Sequence, residues 1–166
     1  MGVKHIKKKD YLKQAKKQLD ILDGTGVEVG VLQGEHAWLA GIHEYGCIIN
    51  VTPKMRAFFH YMGVHLKKST TQIVIPERSF IRAGYDENRD EVLKKAGRLL
   101  ADVASGRMSA KDCYEAVGVE LASKIKDYAI ELQSPPNSGL TVGMKGSSNP
   151  LVDTGAMIGG ITWRKG

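Results

Sequence analysis

Cysteine is scarce in this chain: Cys47 and Cys113 are the only two among 166 residues, far apart and outside any CxxC. A disulfide scaffold is thereby excluded, and the expected state is two reduced, mostly buried thiols. With so few thiols, no zinc centre has enough ligands at suitable spacing. Aromatic residues make up 7%, and none interleaves with the lysines near the start as stacking platforms for nucleic-acid bases do. Long hydrophobic runs are missing as well, since no stretch approaches the roughly 20 apolar residues that cross a bilayer. The segment Met1 to Asp10 is Lys-rich but lacks the apolar stretch of a secretory signal. The chain is therefore expected to stay in the cytoplasm where it is made, without membrane contact.

What remains is ordinary globular material, 42% apolar and 25% charged, in a length that suits one domain with a sizeable core. Residues 1–26 read as a basic N-terminal helix and linker, and 27–166 as a single α+β domain. Net charge is +6, with much of the excess in Lys4, Lys7, Lys8, Lys9, Lys13, Lys16 and Lys17. Such a patch attracts phosphate; it is equally a solvated polar helix face.

The periodicity predicts a helix over Tyr11–Leu22, with an apolar stripe of Tyr11, Leu12, Ala15, Leu19 and Leu22. A strand follows at Val27–Leu32. His36–Tyr45 reads as a helix closed by Gly46, and Cys47–Val51 as a short strand. Thr52 and Pro53 form an N-cap with proline at the first helical position. They introduce a helix with Met55, Phe58, Phe59 and Met62, stopped by Gly63. Thr70–Ile75 is a further strand.

Asp86–Ala104 is expected as a helix, with Asp86, Glu87, Asp90 and Glu91 in its first turns and a buried stripe of Val92, Leu93, Ala96, Leu99, Leu100 and Val103. Ser109 caps a second long helix to Gln133, whose stripe runs Cys113, Val117, Leu121, Ile125, Tyr128 and Leu132. The Pro-, Gly- and Ser-rich stretch Ser134–Pro150 reads as a mobile or assembly-ordered loop, and Ile158–Arg164 as a last strand. The simplest packing is a small antiparallel sheet covered by a long two-helix hairpin, with mobile loops: an α+β fold.

Motifs that carry chemistry are few. Asp153-Thr154-Gly155 matches the signature of retroviral-type aspartic proteases, in which two aspartates share a proton. That fold continues through β-rich flaps, whereas eleven residues follow Gly155 here. The alternative is that Asp153 caps a turn and Gly155 supplies its backbone freedom. His43-Glu44 starts like HExxH, but Cys47 stands where the second histidine belongs. Glu44 is instead a candidate partner of Arg78. Gly139, Gly143, Lys145, Gly146 and Ser147 lack the order GxxxxGK[ST], and GxSxG is absent. The expectation is a protein without catalytic, cofactor or metal residues.

Three segments stand in a fixed order: Ala40-Gly41-Ile42-His43-Glu44-Tyr45-Gly46, Ile75-Pro76-Glu77-Arg78-Ser79-Phe80-Ile81-Arg82, and Pro150-Leu151-Val152-Asp153-Thr154-Gly155-Ala156-Met157 leading to Ile161-Thr162-Trp163. With the helix pair and polar loop between them, they resemble the tail-completion and head–tail joining (virion morphogenesis) proteins of tailed bacteriophages, across roughly residues 27 to 164. The connection from Ile48 to Ile75 is longer than in the shorter members of that family. The resemblance implies a non-enzymatic structural subunit, commonly of a hexameric ring at the neck of the virion, assembled in the host cytoplasm. Its partners would be copies of itself, the portal or head adaptor, and the tail tube or its terminator. Tail termination and plain DNA binding are the alternative roles.

A ring needs sticky surfaces. Phe58, Phe59, Tyr61 and Met62 crowd one short helix, and face either a neighbouring subunit or the core beneath the sheet. Phage DNA crosses such a joint, and Lys54, Arg56, Lys67 or Lys68 lining the lumen would touch phosphates weakly and without reading sequence.

Overall fold

The computed structural model describes residues 11–24 and 26–166. Lys4, Lys7, Lys8 and Lys9 of the expected basic patch lie outside the described residues. The fold is α+β: the described residues form seven helices and two small antiparallel sheets. In chain order the elements are α1 (Tyr11–Leu22), β1 (Val27–Val31), α2 (Glu35–Tyr45), β2 (Cys47–Asn50), α3 (Pro53–Tyr61), β3 (Gln72–Ile75), α4 (Phe80–Ala104), α5 (Ala110–Glu131), α6 (Gly139–Lys145), α7 (Ala156–Gly159) and β4 (Ile161–Lys165).

The long α4–α5 hairpin is the scaffold, as its two apolar patterns predict. Ser109 starts α5 by accepting the Asp112 amide at 3.1 Å. Lys95–Glu120 and Lys124–Glu91 ion pairs link the two helices along their polar edges. Gly84 of α4 lets the helices approach closely, since a Cβ there would stand 3.2 Å from that of Tyr128. β1 pairs antiparallel with β4 across most of the chain, Val29 opposite Trp163 and Val31 opposite Ile161. This ribbon packs on α5. Phe80, Ile125, Ile161 and Val103 are the largest fully buried side chains. Ala40 of α2, Leu151, and Met157 and Ile158 of α7 complete the main core with α4, α5 and β4.

Several expectations need correction. Among the described residues the strands do not join into one sheet: β1 pairs with β4, and β2 with β3. The β2–β3 ribbon packs chiefly within itself and carries α3 between its strands. α4 begins at Phe80, not Asp86, so Asp86 to Glu91 sit in its body and the macrodipole argument for them fails. Its Leu93 and Leu100, assigned to the buried stripe, are 53% and 42% exposed, because α5 covers only one side of α4. The stretch expected as a loop contains α6, capped by the Ser138 hydroxyl accepting from Thr141 N and closed by left-handed Gly146. α1 forms where its stripe predicts and packs against α4 and α5, although Tyr11 and Leu12 stay exposed.

Candidate functional site

The first two of the three sequence segments set apart above meet at two buried charged side chains, Glu44 and Arg78, each 3% exposed, while the third is held by Lys145 and Asn149. Glu44, near the end of α2, sits against the first turn of α4. Its Oε2 accepts from the Ile81 amide at 2.8 Å. Its Oε1 accepts from the Arg82 amide at 3.0 Å, Arg82 Nε at 2.9 Å and the Ser79 hydroxyl at 3.2 Å. Free N–H groups at a helix start need acceptors, and a carboxylate there is also favoured by the dipole. Ser79, at the N-cap position, makes no side-chain cap of its own. Glu44 thus caps α4 from another helix. The pairing with Arg78 expected from sequence is wrong: the partner is Arg82, which also reaches Glu77 at 2.7 Å and lies 4.7 Å over the Tyr45 ring. The Glu44 hydrogen bond holds the Arg82 guanidinium more firmly in its charged form.

Arg78 turns the other way and fastens the polar loop that precedes the third segment. Its Nε donates to Pro135 O at 2.8 Å, and its Nη2 to Pro136 O at 3.1 Å and Asn137 Oδ1 at 3.2 Å. Its Nη1 lies 3.3 Å from His43 Nδ1. Since an arginine nitrogen can only donate, His43 must accept there as a neutral ring. Burial, and then the nearby Arg78 and Lys145 charges, lower its pKa to about 4. Lys145 donates to Asn149 O at 2.6 Å and Val152 O at 2.7 Å. Asn149 accepts the Leu151 and Val152 amides and donates to Ile130 O. Every buried side-chain polar atom among the described residues has a partner. The node is therefore a set of fasteners whose donors and acceptors are taken up by the chain itself.

Asp153-Thr154-Gly155 forms a turn into α7. The hydroxyl of Thr154, not the side chain of Asp153, closes this turn by accepting the Ala156 amide at 3.3 Å, and Gly155 at the N-cap position of α7 supplies φ of 80°. Asp153 is exposed, and its carboxylate raises the Lys145 pKa against the larger lowering that burial causes. Among the described residues no group of three or more His, Cys, Asp or Glu is arranged to hold a metal ion. Cys47 and Cys113 are free thiols, and burial raises the Cys113 pKa. No helix among the described residues is long and apolar enough to cross a membrane.

The other expected site residues lie on the β2–α3–β3 lobe. Phe58, Tyr61 and Met62 are 59%, 86% and 48% exposed, so the reading as core beneath the sheet is wrong. Phe59 is half-buried and meets Phe58 edge-on, with ring centres 5.9 Å apart. The cross-strand pair Ile48 and Val74 adds further exposed apolar surface. Lys54, Lys67 and Lys68 are exposed. Arg56 is not available to a lumen as expected: its guanidinium donates to Leu66 O, Lys67 O and Thr70 O at 2.8–3.0 Å, closing the loop between α3 and β3. That role follows from loop carbonyls that need donors, which no spacing in the sequence announces. The roles of Arg82, Lys145 and Asn149 were also missed.

Compared with protein-family models, with curated proteins and with solved structures, the chain finds no match.

Proposed function

We propose that this chain is a non-enzymatic structural subunit of the neck or tail-completion ring of a tailed bacteriophage. It joins the portal or head adaptor to the tail and lets DNA pass through the lumen of a homo-oligomer, for which six copies is the expected number. The observation that carries the reading is the exposed aromatic and apolar group Phe58, Tyr61 and Met62, with Ile48 and Val74, on a lobe that leaves the main core. Surface of that kind marks contact with another protein chain. A heterologous contact that closes generates a ring. The sequence resemblance supports the place of that ring, and the first two of the segments that carry it meet at Glu44 and Arg78.

Lys54, Lys67 and Lys68 give the lobe a basic character that suits weak, sequence-independent contact with phosphates. The polar node supports the absence of catalysis, because its groups are occupied in holding the fold together.

The test is assembly on phage tails. Wild-type chain is expected to co-sediment with tails and to appear as a collar at the head-proximal end by negative staining. Tyr61→Asp with Phe58→Asp is expected to abolish that binding while leaving the circular dichroism spectrum and melting temperature unchanged. Retained binding by this variant would reject the lobe as the interface. Tight, salt-sensitive duplex binding by the isolated monomer would instead support the DNA-binding alternative.

A further inference from the structure

His60 and His65 lie on the same lobe, at the end of α3 and in the loop after it, and neither belongs to the polar node. Their Nδ1 atoms are 2.9 Å apart, with ring centres at 4.7 Å and planes at 55°. Both rings are exposed and border an open depression with Pro53, Arg56, Ala57 and Leu66. We propose that this pair is a binding site for a divalent transition metal of the imidazole-preferring kind, Ni2+ or Cu2+, taken as a two-nitrogen chelate.

The argument is geometric. Metal–imidazole bonds run about 2.0–2.1 Å. Two such bonds ending on nitrogens 2.9 Å apart enclose an angle of about 90° at the metal. That is the angle between neighbouring ligands in square-planar and octahedral complexes, the preference of Cu(II) and Ni(II). A tetrahedral zinc would need the nitrogens about 3.3 Å apart or more.

The chelate is preorganised, because His65 is held on both sides. The Val64 amide donates to Phe59 O at 2.8 Å. On the other side, Arg56 grips Leu66 O at 3.0 Å and Lys67 O at 2.9 Å. His60 is in the last turn of α3, where the negative end of the helix dipole favours a cation. In the free protein, one Nδ1–H donates to the other Nδ1. Metal binding needs both Nδ1 lone pairs, so the donor ring takes its other tautomer, with the proton moved through solvent to Nε2. With two protein ligands, water fills the remaining positions.

The test titrates the full chain with Ni2+ by calorimetry. One equivalent is expected, weakened at least about tenfold by either His60→Ala or His65→Ala, and no further by the double variant, because a chelate is lost with its first ligand. His36→Ala is expected to bind as wild type. Arg56→Ala, which keeps both rings but frees the loop, is expected to weaken binding severalfold. With Cu2+, electron paramagnetic resonance is expected to show coupling to two imidazole nitrogens in the wild type and its loss in each single variant. Ni2+ affinity that stays within about twofold of wild type in both single variants, or no Ni2+ uptake by the wild-type chain, would overturn the proposal.

Discussion

Glu44 holds two backbone amides of α4 and the side chains of Ser79 and Arg82 at once, so its removal leaves several donors without acceptors in a buried place. Glu44→Ala is expected to lower unfolding stability by about 3 kcal/mol, read as a lower denaturant midpoint with an unchanged slope. His43 gives a pH signature. Its pKa is lowered to about 4 in the folded chain against 6.5 when unfolded. The unfolded state therefore binds more protons in that interval, and stability falls as pH drops from about 6.5 to 4. The loss attributable to His43 is about 1–2 kcal/mol, reduced from the full linkage value because the ring keeps part of its surface in water. His43→Gln is expected to flatten that part of the curve, and an unchanged pH profile would contradict the neutral-acceptor assignment. At Gly118, a Cβ would stand 2.5–2.7 Å from the Trp163 ring, which lies against α5. Gly118→Ala is expected to cost about 1–2 kcal/mol by chemical denaturation despite its better helix propensity. At this scale the sequence was only partly legible. It flagged His43, Glu44, Arg78 and Asp153 as unusual, but which charges meet depends on helix ends brought together from distant stretches. The chain alone therefore left Arg78 as the candidate partner of Glu44, where the fold supplies Arg82.

Elements were read more faithfully than contacts. Local signals fixed α1, the Thr52–Pro53 start of α3 and the Ser109 start of α5, because caps and apolar periodicity act within one or two turns. Two failures have tertiary causes. The early start of α4 is written in no local cap, since its acceptor is Glu44. The segment Ser134–Pro150 has the composition of a loop, yet Arg78, Lys145 and Asn149 supply the donors and acceptors that hold it, and α6 forms within it. It follows that Arg78→Met frees the Pro135 and Pro136 carbonyls. Amide hydrogen exchange across α6 is expected to quicken well beyond that of the α4–α5 hairpin. Equal change in both would make Arg78 a general stabiliser rather than the fastener of this segment. The division of the strands into two ribbons was likewise invisible, because alternation tells which face of a strand is apolar and not which strand it meets.

On the molecule as a whole, the main core gathers around α5, with α4, α7 and β4, while the lobe of β2, α3 and β3 turns aromatic and apolar side chains outward. The fold class was readable from the chain because two long helices and short strands in mixed order leave few ways to bury their stripes. The outward aromatics were not, since a crowded short helix looks alike whether it faces a core or a neighbour. Leu93 and Leu100 on α4 and Trp38 on α2 are further exposed apolar side chains, and the ring proposed above would need a second contact surface of this kind. The most direct measurement is the mass and shape of the purified chain, alone and mixed with phage tails, by native mass spectrometry and negative-stain microscopy. The account predicts a closed ring of copies, free or seated at the tail end, that disappears with Phe58→Asp and Tyr61→Asp. A chain that remains a monomer in both settings, with tails left bare, would contradict it.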